Sequence, residues 1–84
     1  MKLIFSAAAA KTLTKLPVKD GAALMSKLQQ VAANPMGQFP WVKRLTHRPG
    51  FRIRQGDWRA IYNLNYDADK MTVEKIAKRD EVYK

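Results

Sequence analysis

The chain has no cysteine and a single histidine. Without cysteine there are no disulfides, no thiol nucleophile and none of the commonest structural zinc sites, a composition that fits a reducing, cytoplasmic compartment. One histidine excludes a ribonuclease that divides general base and general acid between two imidazoles. Acidic residues are scarce, 7 Asp and Glu against 16 Lys and Arg. A two-metal nuclease needs convergent carboxylates, whereas Asp67 and Asp69 lie in a turn, so no metal is expected. A glycine-rich phosphate loop is also missing, and no other cofactor is expected. No apolar run approaches the ~20 residues that span a bilayer, so no membrane partner is expected. The opening Met1-Lys2-Leu3-Ile4-Phe5-Ser6-Ala7-Ala8-Ala9-Ala10 is superficially like a short signal peptide, but Lys11 and Lys15 follow at once.

A strand at Leu3 to Phe5, a helix N-cap at Ser6 and a first helical turn of alanines account better for that opening. The helix from Ala7 to Leu16 is stopped by Pro17. A second helix runs from about Val18 or Asp20 to Ala33, with Leu24, Met25, Leu28, Val31 and Ala32 as an i, i+3, i+4, i+7 core stripe. Residues 35 to 50, punctuated by Pro35, Gly37, Pro40, Pro49 and Gly50, read as a loop. Its apolar members Phe39, Trp41, Val42 and Leu45 either tuck under a sheet edge or meet a partner. A short strand from Phe51 follows, then one from Trp58 to Asn65 and one from about Met71 to Ala77. In the last of these Met71 and Val73 share one parity and Ile76 the other, which implies a bulge or burial of both faces. The order is β-α-α-β-β-β: one α+β domain over residues 1–84, both helices on one face of a small, mostly antiparallel sheet.

The other face is the informative one. The formal net charge is +9. Residues 43 to 59 hold Lys43, Arg44, Arg48, Arg52, Arg54 and Arg59 against Asp57 alone. Phe51 and Ile53 alternate with Arg52 and Arg54, so one strand face is apolar and the other cationic. Gly56-Asp57 supplies a turn, and Trp58-Arg59-Ala60-Ile61-Tyr62 returns, with Trp58 and Tyr62 in the core and Arg59 on the open side. Like charges side by side repel, so their clustering makes sense opposite a polyanion. A solvated cationic surface kept for solubility is the other reading of the charge alone. His47, in Thr46-His47-Arg48-Pro49, reads as a surface or loop-packing residue.

The Arg-Ile-Arg-Gln-Gly-Asp-Trp-Arg-Ala-Ile-Tyr stretch at 52–62, with the tail Lys78-Arg79-Asp80-Glu81-Val82-Tyr83-Lys84, resembles the RelE/ParE family of small bacterial toxins, and within it the RelE-like branch. That resemblance implies the toxin of a toxin–antitoxin pair: a cytoplasmic endoribonuclease that cleaves messenger RNA on the ribosome and forms a hetero-oligomer with an acidic antitoxin. Arg59 matches the arginine that contacts the scissile phosphate; a salt bridge to Asp57 or Glu74 is the alternative. Arg52 and Arg54 match a basic pair that binds phosphate and is often lysine in the RelE branch. Arginine stabilises charge but is a poor base, which leaves the base unassigned. Arg79 matches the tail arginine that stabilises the transition state or protonates the leaving oxygen. Tyr83 matches the tail tyrosine that stacks on a base or takes the 2′-hydroxyl proton; an idle, frayed end is its alternative. Lys78, Lys84, Arg48 and Arg44 are further candidate RNA contacts. The tail joins no expected core element, so its last six residues should be dispensable for folding. The ParE branch, with the same fold but binding and inhibiting DNA gyrase, is the competing reading, and a non-toxic nucleic-acid-binding module the third.

Overall fold

The computed structural model describes residues 1–83. Its elements are β1 (Lys2–Phe5), α1 (Ala7–Lys15), α2 (Val18–Ala33), β2 (Val42–Arg44), β3 (Phe51–Gln55), β4 (Trp58–Asn65) and β5 (Lys70–Lys78). The strands form one five-stranded sheet in the order β1-β5-β4-β3-β2. β1 runs parallel to β5, and the other neighbouring pairs are antiparallel. The α+β class, with both helices on one face, is as expected.

Local chemistry sets the helix bounds. The Ser6 hydroxyl oxygen accepts from the Ala9 N–H at 3.0 Å, capping α1. Leu16, forced toward extended geometry by the following Pro17, has ψ 150° and separates the two helices. On α2, Leu24, Leu28, Val31 and Ala32 are buried at helical spacing, against Ile53, Ala60, Tyr62, Met71, Val73 and Ile76 of the sheet. Each leucine so buried contributes about 1.5–3 kcal/mol. No helix among the described residues is long and apolar enough to cross a membrane.

Two features adjust the expected order. Residues 42–44 inside the proline-rich loop form β2, pairing Val42 with Ile53 and Arg44 with Phe51. Three residues with two exposed cations carry no readable alternation; pairing with β3 makes them a strand. Phe39 and Trp41 stack at 4.7 Å and pack with Val42 against the core edge, as one of the two readings of that loop had it. The faltering alternation of β5 is a bulge: Ile61 faces Lys75 and Tyr62 faces Val73, leaving Glu74 as the extra residue. Its carbonyl is satisfied by the Ser6 hydroxyl at 2.8 Å. The bulge resets the phase so that Met71, Val73 and Ile76 all join the helix-side core.

The face away from the helices is not bare. Ile61 and Val82 are buried, at 0% and 1% exposure, yet stand apart from the helix–sheet cluster. Val82 belongs to a turn held by the Glu81 and Val82 N–H groups donating to the Lys78 carbonyl at 2.9 and 3.0 Å. The C-terminal turn thus folds back over Ile61, contrary to the expectation that the tail takes no part in the core. Its apolar content is a single valine among charged residues, too little for any periodicity to register. Deleting residues 79–84 should therefore lower the unfolding free energy by about 2 kcal/mol, the worth of one buried valine. Urea titration reads this as an earlier midpoint. An unchanged midpoint would mean that Val82 contributes nothing.

Candidate functional site

Register builds the site. β3 and β4 pair Arg54 with Arg59, Ile53 with Ala60 and Arg52 with Ile61 across a two-residue turn. Gly56 opens that turn at φ 57°, a conformation that costs glycine little. Because side chains alternate, Ile53, Ala60 and Tyr62 go under the helices, and Arg52, Arg54 and Arg59 rise on the opposite face. Lys43, opposite Arg52 on β2, extends the row. Arg59 is half-buried, and its guanidinium donates to the carbonyls of Gly56 at 2.8 Å and Trp58 at 2.9 Å. The side chain is therefore braced on the backbone of its own turn. Its hydrogen bonds do not go to Asp57 or Glu74, and the Glu74 carboxylate accepts instead from the Asn63 amide.

The Arg79 N–H donates to the Asp57 carbonyl at 2.8 Å and ties the start of the tail to the hairpin tip. Burial lowers the Arg59 pKa from its ordinary value, and Arg52, Arg54 and Arg79 lower it further; Asp57 opposes them. The direction reflects lost hydration first and then repulsion from three neighbouring guanidinium groups, and a bound anion would relieve the repulsion.

Arg52, Arg54, Arg59 and Lys43 surround a pocket of about 130 Å³, closed on one side by Pro40 and Trp41. Arg52 and Lys43 also wall a larger neighbouring cleft of about 510 Å³, reaching from β2 through loop residues 45–48 to Tyr83. Arg52 donates to the Tyr83 hydroxyl at 3.2 Å, so Tyr83 is anchored despite 57% exposure. Among the described residues, no carboxylate side chain lines either compartment.

The expected residues therefore divide. Arg52, Arg54, Arg59 and Tyr83 come together with Arg79 beside them. Arg44 and Arg48 line the larger cleft, as does His47; the Arg44 guanidinium rests 5.9 Å from the Phe51 ring. Lys78 lies apart, its ammonium 5.9 Å from the ring of Trp58, which packs against the helix-side core. Lys84 falls outside the described residues.

Two cations in or beside the site were not assigned to it from the sequence, although Lys43 was counted in the basic cluster. Lys43 lay in a segment read as loop. Lys27, on α2, donates to the Arg54 carbonyl at 2.7 Å and sits 5.4 Å from the Trp41 ring. Its pKa is lowered by burial and then by Arg54. The only sequence signal was its position just before Leu28 at the border of the apolar stripe, where a lysine stem can follow the core outward. With Phe39 stacked on Trp41 and Lys27 also against it, the indole is a fixed wall of the small pocket rather than a free stacking surface. Replacing Lys27 by Met should cost about 1 kcal/mol of stability through the lost hydrogen bond and cation–π contact. It should also change Trp41 fluorescence, measured in a Trp58→Phe background. Unchanged fluorescence and stability would mean that Lys27 does not brace Trp41.

No protein-family model matches the chain, and no curated protein does. Solved structures do match. The archaeal RelE–RelB complex from Pyrococcus horikoshii superposes with a TM-score of 0.80 at 20% identity, over 96% of this chain and 97% of that one. A chain of the intact Escherichia coli RelBE toxin–antitoxin complex gives 0.73 at 23% identity, over 93% and 100%. The YoeB/ParE toxin from Agrobacterium tumefaciens gives 0.79 at 10% identity, over 94% and 99%. The fold of this chain is the RelE/ParE toxin fold.

Proposed function

We propose that this chain is the toxin of a toxin–antitoxin pair and acts as a ribosome-dependent endoribonuclease on messenger RNA. The observation that carries the reading is the 130 Å³ pocket walled by Arg52, Arg54, Arg59 and Lys43, with Tyr83 tethered to Arg52. Such a pocket suits a phosphate whose charge grows during reaction, since guanidinium groups already oriented lower the barrier without reorganising. RNA supplies the nucleophile. Its 2′-oxygen attacks the adjacent phosphorus, the new O2′–P bond forms as the P–O5′ bond breaks, and a 2′,3′-cyclic phosphate and a 5′-hydroxyl result. The 2′-hydroxyl proton leaves to a base and the 5′-oxygen gains one from an acid. Tyr83 is the candidate for the first and Arg79 for the second. Neither is a strong catalyst of proton transfer at neutral pH, so the chain should be slow on free RNA and rely on the ribosome to bend the strand into line.

The same surface supports the antitoxin as partner. Crowded guanidinium groups favour an acidic segment folding over them, and the solved neighbours from Pyrococcus horikoshii and Escherichia coli are toxin–antitoxin complexes. Lys78 and Lys84 remain proposed RNA contacts on the ribosome; Lys78 would reach RNA from the side of the sheet away from the arginine pocket. The protein would act in the cytoplasm, where translating ribosomes are.

The test is to add the protein to a translating extract and map transcript ends. Wild type should leave 2′,3′-cyclic phosphate and 5′-hydroxyl termini. Arg59→Ala should lower the cleavage rate by more than ~10²-fold, the usual loss when one charge-stabilising donor is removed. Its stability should stay within about 1 kcal/mol of wild type, because its two hydrogen bonds are offset by relief of repulsion. Loss of activity accompanied by gross unfolding would make Arg59 structural. Purified gyrase run in parallel tests the competing reading: supercoiling blocked at stoichiometric protein, with transcripts whole, overturns the ribonuclease.

A further inference from the structure

The hairpin that carries the arginines is gripped from the helix side at two successive residues. The Lys27 ammonium on α2 donates to the Arg54 carbonyl at 2.7 Å, and the Gln55 side-chain amide donates to the Asp20 carboxylate at 3.4 Å. The Arg54 N–H donates to the Trp41 carbonyl at 2.9 Å, and the Trp41 ring lies 5.4 Å from the Lys27 nitrogen. Lys27, Trp41 and Arg54 thus close a triangle. Two of its corners, Trp41 and Arg54, line the phosphate-sized pocket, and the third stands behind them.

The two arginines that face each other across the hairpin are held differently. The Arg59 guanidinium rests on two carbonyls of its own turn. Arg54 is gripped by its backbone, with Trp41 at its N–H and Lys27 at its carbonyl. β2 ends opposite Ile53, one residue short of Arg54. Lys27 donates to the Arg54 carbonyl where a longer β2 would place a strand N–H. The helix therefore finishes a ladder that the edge strand leaves incomplete, at the residue whose side chain enters the pocket.

A lysine is a costly choice for that place. Burial lowers its pKa first and Arg54 second, so the ammonium stands where both hydration and charge disfavour it. An apolar side chain of the same length would pack on Trp41 without that cost. It could not donate to the carbonyl.

We propose that Lys27 is a positioning residue for the reaction in the arginine pocket: from the helix side it fixes the Arg54 peptide and the Trp41 wall, so that guanidinium and indole meet the phosphate in the required geometry, and it makes no contact with RNA itself. The proposal rests on the reading that messenger RNA is cleaved in that pocket, and it makes the core helix α2 part of the catalytic frame.

The test uses ribosomes programmed with one defined transcript and the protein in excess, so that the plateau cleavage rate and the half-saturating concentration are read separately. Lys27→Met keeps the stem and removes the donor. Its plateau rate should fall about tenfold or more, within the ~10²-fold that a misplacement of about 1 Å can cost. Its half-saturating concentration should stay within about threefold of wild type, because positioning acts on the transition state rather than on binding. Lys27→Arg keeps a cationic donor and should return the rate to within about threefold of wild type. Ser6→Ala removes the α1 cap, lines no part of the pocket and serves as the stability control; its rate should stay within about twofold. Hydrogen exchange gives a readout apart from cleavage. In Lys27→Met the Arg54 amide should exchange about tenfold or more faster relative to the amides of β4.

Lys27→Met cleaving as fast as Ser6→Ala overturns the proposal. So does Lys27→Arg as slow as Lys27→Met, or Arg54 exchange that keeps step with β4. A change confined to the half-saturating concentration overturns it as well, by making Lys27 an RNA contact. Failure of the underlying reading looks different: wild type itself then leaves transcripts whole and the proposal falls with it, whereas wild type and Lys27→Met cleaving alike removes Lys27 alone and keeps the ribonuclease.

Discussion

The arrangement depends on the register of the β3–β4 hairpin. With Ile53 opposite Ala60 and Arg54 opposite Arg59, the apolar side chains of the hairpin other than Ile61 lie under the helices and every guanidinium lies on the other face. A slip of one residue on either strand would drive arginines into the core. The apolar packing against Leu24, Leu28 and Val31 is thus what holds cations together that would otherwise separate. Burial on one side of a sheet supplies the free energy, and electrostatic crowding on the other absorbs part of it.

The crowding is managed by backbone rather than by counter-charge. Arg59 is braced on two carbonyls of its own turn, and Lys27 on the carbonyl of Arg54. Carbonyl dipoles steady a cation without neutralising it, whereas a carboxylate would do both and would compete with an anionic ligand. Glu74 is kept occupied by Asn63, and Asp57 contributes its backbone carbonyl to the tail. The result is a face on which the positive charge stays available.

Much of this was legible in the sequence because it rests on local pattern. The alternation of Phe51 and Ile53 with Arg52 and Arg54, the Gly56 turn, the Ser6 cap and the spacing of Leu24, Leu28 and Val31 each carry their own signal. What was missed depends on pairing at a distance. β2 is too short to show a period and exists because β3 offers it an edge. Lys43 joined the site only through that pairing. Lys27 looked like one more surface lysine until its helix was laid beside Trp41. Val82 looked like a stray apolar residue in a charged tail, since nothing nearby in the chain indicates that Ile61 lies across from it. The irregular parity of β5 did signal a bulge, yet choosing between a bulge and burial of both faces required its partner strand.

The parallel pairing of β1 with β5 has a consequence for the order of events during synthesis. β1 precedes every other element of this fold, and its register partners are residues 70–73, so it cannot enter the sheet until the intervening elements have been made. β5 is also the strand between β1 and β4. A chain still being translated therefore holds α1, α2 and the β3–β4 hairpin without the strand that joins the two ends of the sheet, and without the turn that covers Ile61. Long-range closure of this kind is slow relative to forming a hairpin. Arg79 and Tyr83, which follow β5 in the chain, join the basic face only after β5 has been made.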